Sequence, residues 1–276
     1  MVQIQTNGMR LEVETHGERS GPPLLLIRGL GSQIIHWPPA MIEALVDDGW
    51  FVIAYDNRDA GLSGASSGSY TVGDMAADGV GVLDALGVAS ADIFGISMGG
   101  MIAQEMAWAH GDRIRSATIV MSSSGAPDLP ARSPEIEKLL LETPPADAST
   151  EEIVEATLKA DRVWAGPAFP FDEAERRALI ARAVERAWRP EGVMRQYQAV
   201  LASAGRADRL AEIRTPGLVI HGDRDALLPL EHGADIAARW PGAVFQTIEG
   251  MGHDLDGGAH GPVLDAFRAF TAKNRG

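Results

Sequence analysis

The chain has no cysteine. That absence excludes a disulfide scaffold, a thiolate zinc site, an iron–sulfur cluster and a thiol nucleophile. Positive charge is scarce: 24 Lys and Arg stand against 38 Asp and Glu, a net charge of −14. A surface of that sign repels phosphate backbones and anionic lipid. No basic patch offsets it, so neither nucleic acid nor a membrane is an expected partner. Long apolar runs are missing too. The longest near the N-terminus, Leu24 to Ile27, is too short for a signal-peptide core and lacks the basic flank and small-residue cleavage site. Nothing approaches the roughly 18 apolar residues of a membrane span. The expectation is a soluble cytoplasmic protein. Apolar residues make up 45% and charged residues 22%, the balance of a folded globule rather than a disordered tail. The 276 residues fit one α/β domain carrying an insertion as well as they fit two domains.

The first third reads as short strands separated by turns. Residues 2–6 and 11–15 alternate around Asn7-Gly8, a hairpin signal. Residues 24–28 and 51–55 are compact apolar runs, as in strands buried on both faces of a parallel sheet. Residues 91–96 and 117–121 continue the strands. Helical spacing falls at 40–46 and 98–109. A further helix starts near Thr71, which forms a capping box with Asp74, and ends at Gly87; Gly79 and Gly81 weaken it. Strand–helix alternation of this kind predicts a sheet with helices on both faces. From about residue 127 to 209 the pattern changes to helices alone, at 135–141, 151–162, 172–189 and 192–203. Alternation resumes at 217–221, 231–239, 243–248 and 262–272. The predicted organisation is a core of residues 1–125 and 210–276 with a helical cap, 126–209, inserted into it. A structureless loop of that length would be implausible.

Gly-x-Ser-x-Gly occurs twice. Ser66, in Gly64-Ala-Ser-Ser-Gly68, has no strand before it and no helix directly after it, so it reads as turn chemistry. Ser97 stands where the apolar strand Ile93-Phe94-Gly95-Ile96 meets the apolar helix Met101-Ile102-Ala103. A serine nucleophile must stand clear of the sheet, so the chain turns sharply there and crowds the positions two before and two after, Gly95 and Gly99. Gly100 lets the helix pack close to a neighbouring strand. The helix N-terminus favours negative charge developing at the serine. A hydroxyl nucleophile needs a base, and the base an orienting acid. The order with such an elbow is Ser, then Asp or Glu, then His. After the helical block come His221-Gly222-Asp223-Arg224-Asp225, with two carboxylates at a strand end, and then Gly250-Met251-Gly252-His253.

These three segments, in this order, resemble the α/β-hydrolase fold family with a helical cap, over essentially the whole chain. The resemblance implies a mostly parallel eight-stranded sheet with helices on both faces. It implies Asp225 as the acid, with Asp223 the runner-up and turn-capping its other role, and His253 as the base. His221 is expected to pack or hydrogen-bond within the strand end. It further implies an oxyanion hole built from the backbone N–H groups of Met98 and Leu30. Arg28 stands where the family usually has a histidine, and it either meets a buried carboxylate or faces the pocket. The stretch from Tyr55 to Ser63 resembles the family's Asp-x-Arg-Gly-x-Gly-x-Ser loop, read here as Asp56 pairing with Arg58. The Arg189-to-Gln196 stretch and the Asp-Asn-Arg-Asp loop resemble the aclacinomycin methylesterase-like branch.

The cap carries Trp164, Phe169, Phe171, Trp188, Met194 and Tyr197, most of them expected to pack the cap on itself. Some must face the pocket; Trp164, Trp188 and Leu227 are the candidate substrate-binding residues. The expected activity is cofactor-independent cleavage of a small to medium hydrophobic carboxylic ester by a Ser97–His253–Asp225 triad. No metal is expected, since neither His253-Asp254-x-Asp256 nor Asp223-x-Asp225 has metal-site spacing. The expected partners are that ester and water, with a homodimer allowed for. Lactone hydrolysis, carbon–carbon bond hydrolysis and perhydrolysis use the same triad. A reading of another class is a ligand receptor on this fold with negligible turnover.

Overall fold

The computed structural model describes residues 2–203 and 205–274. Eight strands form one sheet: β1 (Val2–Thr6), β2 (Met9–His16), β3 (Pro23–Ile27), β4 (Phe51–Tyr55), β5 (Ala91–Ile96), β6 (Ile114–Val120), β7 (Gly217–Gly222) and β8 (Val244–Ile248). Their spatial order is β1-β2-β4-β3-β5-β6-β7-β8. The first two pairings are antiparallel and the rest parallel. Central strands β3, β4 and β5 are buried on both faces, and their side chains alternate between two cores. Leu25, Ile27, Ile53 and Ile93 enter one core; Leu24, Leu26, Val52 and Phe94 enter the other. The first core is closed by α2 (Val72–Ala85), α3 (Met98–Ala109) and α9 (Leu230–Arg239), the second by α1 (Pro39–Asp47) and α10 (His260–Asn274).

Local signals explain the helix starts. Thr71 and Asp74 form the capping box of α2. Gly79 and Gly81 lie within that helix because a side chain at Gly81 would run into Thr6 of β1, and one at Gly79 would press on Met106 of α3. Close packing thus offsets their poor helix propensity of about 1 kcal/mol each.

Between β6 and β7 lie α4 (Pro134–Leu141), α5 (Thr150–Trp164), α6 (Glu173–Arg186), α7 (Pro190–Ala202) and the short α8 (Arg206–Arg209). The predicted helix over 172–189 ends earlier, at Arg186. Pro190 disfavours helical backbone at Arg189 before it and instead opens α7 as its first residue. The apolar cluster of this segment is small: Val154, Leu158 and Ile180, with Phe171, Ala181 and Val184 against it. Among the described residues no helix is long and apolar enough to cross a membrane.

Candidate active site

Ser97 joins β5 to α3 with φ 55° and ψ −122°, a positive-φ conformation costly for a side-chain residue and found where geometry demands it. The turn is tight enough that a Cβ at Gly95 would strike the Gly99 carbonyl, and one at Gly99 the Ile27 carbonyl. The Ser97 N–H donates to Val120 O at 2.9 Å, and its carbonyl accepts from Gly100 N at 2.9 Å and from Ser122 Oγ at 2.7 Å. The N–H and carbonyl of Ser97 are therefore both engaged. Among the described residues neither Met98 N–H nor Leu30 N–H donates to a protein acceptor. Both residues line one cavity with Ser97 and His253.

Asp225, in the turn after β7, is buried. Its Oδ1 accepts from the Leu227 and Leu228 amides at 2.9 and 2.8 Å. Its Oδ2 lies 2.7 Å from His253 Nδ1. Burial opposes its ionisation, yet the neighbouring His253 and the contact with His221 hold its carboxyl well below the usual range. His253 Nε2 is buried with no hydrogen-bond partner. Asp223 plays a different part. Its Oδ1 accepts from Gly250 N at 2.6 Å, tying the two loops together. His221 Nε2 lies 2.8 Å from Leu228 O, a strand-end hydrogen bond as expected, and also 3.4 Å from Asp225 Oδ2. That second contact, with Asp225, has no signal in the sequence. Ser66 is a turn residue, its Oγ donating to Gly68 O at 3.0 Å.

The cavity, about 340 Å³, is also lined by Trp164, Trp188 and Leu227. Of the other apolar residues on the helical segment, Phe171 packs within it. Phe169 packs against the sheet's second core instead, and Met194 is exposed. Tyr197 lines the cavity and donates to Glu137 at 2.7 Å.

The predicted Asp56–Arg58 pair does not form. Arg58 turns to Asp78 of α2, at 2.6 and 2.7 Å, and stacks on Tyr70. Asp56 accepts instead from the Ile34 and Leu62 amides at 2.7 and 2.9 Å and pairs with Arg186 of α6 at 2.7 Å. The two side chains diverge because each is claimed by a different element. The residues that sequence reasoning missed come mainly from the helical segment. Gln196 of α7, fully buried, accepts from Gly31 N at 2.8 Å and donates to Arg58 O at 2.7 Å. It pins the loop that carries Leu30. The Trp164 carbonyl accepts from His253 N at 2.7 Å. The chain crosses so closely there that a Cβ at Gly252 would strike the Trp164 carbonyl. Among the described residues no group of three His, Asp or Glu is arranged to hold a metal.

A family model described as alpha/beta hydrolase fold matches residues 22–255. The chain is 30% identical to the rhodomycin D methylesterase DnrP of Streptomyces peucetius, over 97% of each chain. It is 34% identical to RutD of Azorhizobium caulinodans, whose name assigns it provisionally to carbamate hydrolysis, over 95% of this chain and 90% of that one. Among solved structures it superposes on the enol-lactonase from Burkholderia xenovorans LB400 with a TM-score of 0.77 and 26% identity, covering 97% of this chain and 100% of that one.

Proposed function

The chain belongs to the alpha/beta hydrolase fold family, and from that premise we propose a cofactor-independent serine hydrolase that cleaves a hydrophobic carboxylic ester through an acyl-enzyme on Ser97. His253 Nε2 takes the proton of Ser97 Oγ as the oxygen attacks the ester carbonyl. The Leu30 and Met98 amides receive the oxyanion. His253 returns the proton to the departing alcohol. It then activates water, which cleaves the acyl-enzyme and frees the acid. Asp225 holds His253 through Nδ1–H and stabilises the imidazolium. Residues 126–209 act as the cap, with Trp164, Trp188 and Leu227 against the substrate and water largely excluded.

One observation carries the reading: the 2.7 Å contact of buried Asp225 with His253 Nδ1, with His253 and the strained Ser97 opening on one cavity. Similarity to a methylesterase over nearly the full length supports a small alcohol, methanol, as the leaving group. The enol-lactonase neighbour favours one second reading, a lactone as the ester. A cytoplasmic enzyme, alone or as a homodimer, belongs to the same proposal. The test is hydrolysis of methyl and p-nitrophenyl esters by wild type and Ser97→Ala in parallel. Serine-dependent turnover is expected; a folded wild type that turns over neither esters nor lactones would leave a ligand receptor.

A further inference from the structure

Arg28 follows β3 and opens the loop that carries Leu30. Its guanidinium lies over the Trp37 ring, 4.9 Å from the centroid, and it lines the cavity beside Ser97. The next residue, Gly29, is in near contact with the nucleophile: a Cβ there would come 3.1 Å from Ser97 Cβ. Arg28 Nε is buried without a partner. Among the described residues its side chain makes no hydrogen bond and no ion pair. Burial lowers its pKa to about 10, against the pull of Asp256 and Asp254, so it stays a cation at neutral pH at the expense of desolvation.

The other charged side chains around the cavity each have a direct ion-pair partner, Arg176 being shared by three carboxylates. Arg176 holds Asp161 at 3.3 Å, Asp256 at 2.8 Å and also Asp254. Arg132 pairs with Glu137 at 3.3 Å and Lys159 with Glu142 at 3.3 Å. His36 is kept neutral, its pKa lowered to about 3 by burial first and then by Arg28. Among the described residues that leaves Arg28 as the cavity-lining cation without a direct carboxylate partner, next to Ser97 in a protein whose net charge is −14.

We propose that Arg28 is a specificity-determining residue that receives a carboxylate carried by the substrate, so that the preferred ester is the monoester of a dicarboxylic acid. The inference rests on the hydrolase reading above. With methanol as the leaving alcohol, the anionic group must sit on the acyl part, since a methyl group carries none. A guanidinium offers two parallel N–H donors to a carboxylate. In a partly enclosed cavity that pair is worth about 10- to 100-fold in affinity.

The test uses two esters of equal length, monomethyl adipate and methyl hexanoate. Their binding to Ser97→Ala is measured by calorimetry at neutral pH, and their turnover by wild type in a pH-stat. Monomethyl adipate should bind Ser97→Ala about 10- to 100-fold more tightly than methyl hexanoate. Adding Arg28→Gln should erase that preference. Arg28→Met, which keeps an apolar stem against Trp37, should erase it too, and Arg28→Lys should keep part of it. Equal binding of the two esters would overturn the proposal. So would an equal loss of both on replacing Arg28, which would mean that the side chain only props the loop. Failure of the hydrolase reading looks different: wild type would turn over neither ester while the binding preference persisted.

Discussion

The sheet core and the helical segment inserted after β6 are held together by different forces. The core buries two large apolar clusters, one on each face of the sheet. The helical segment has a small apolar cluster of its own, sends Ala199 and Phe169 to the core's clusters, and is fastened to the core mainly by polar contacts. Arg186 reaches Asp56, Arg195 reaches Asp59 at 2.7 Å, and Arg189 donates to Ser63 O at 2.6 Å. Gln196 and the Trp164 carbonyl complete the set. The core supplies the groups that would react; the helical segment holds the loops that carry them. On the proposed mechanism, chemistry and its positioning would sit on regions with different sensitivities to mutation and pH.

The largest expected effect is on the core side. Ser97→Ala should lower kcat/KM on a p-nitrophenyl ester by about 10⁴-fold or more while thermal unfolding stays as in wild type. Full activity in that variant would remove the core as the source of the chemistry. Asp225→Asn should cost about 10³- to 10⁴-fold. Asp223→Asn should cost about tenfold at most, since Asp223 accepts from a loop amide and otherwise lies 4.0 Å from the exposed Arg224. The reverse ranking would exchange the roles of the two carboxylates.

The next test crosses to the helical segment. Gln196→Ala leaves Gly31 N–H and Arg58 C=O unpaired and frees the loop that presents Leu30. A fall in kcat of about tenfold is expected, less than the 10²- to 10³-fold lost when an oxyanion donor is removed outright. A change in KM alone would show that the helical segment shapes binding and leaves the reacting groups untouched.

The smallest effect is one of pH. Burial pushes the Asp161 carboxyl up to about 7, with Asp254 and Asp256 adding to it and Arg176 opposing. An unfolded Asp titrates near 4, so between about pH 4 and 7 the folded state holds a proton that the unfolded state has lost. The contribution of this group to stability is therefore fully present below about pH 4 and is lost as pH rises through 7. Asp225 has the opposite sign: its lowered folded value stabilises above about pH 4 and the benefit is lost in more acid solution. Asp161→Asn should match wild type in Tm near pH 4.5 and exceed it by a few degrees at pH 8. A Tm difference that is flat across that range would contradict the linkage.

The same division governs what is legible in the sequence. β3, β4 and β5 are legible because strands buried on both faces are short unbroken apolar runs. Ser97, with Gly95 and Gly99, is legible because steric crowding leaves glycine no substitute at those positions. The helices over 135–141 and 151–162 are legible from periodicity, and the structure adds the capping box of Ser149 with Glu152 that starts the second. The contacts between the two regions are not. Asp56 and Arg58 stand two apart and invite pairing, yet their partners Arg186 and Asp78 lie 130 and 20 residues away. Local sequence carries no record of such a choice. Arg28 is a related case: its position beside Leu30 is legible, but that it meets no carboxylate follows only once Arg176 is seen to hold Asp254 and Asp256.

The most direct test of the central claim is intact-mass and peptide-level mass spectrometry after brief treatment with a fluorophosphonate. Such a reagent phosphonylates a serine only where a base and an oxyanion hole activate it. The expected result is a single adduct, on Ser97, that is absent in Ser97→Ala and greatly slowed in His253→Ala and Asp225→Asn. An adduct on another serine, or ester turnover that persists with Ser97 unlabelled, would contradict it.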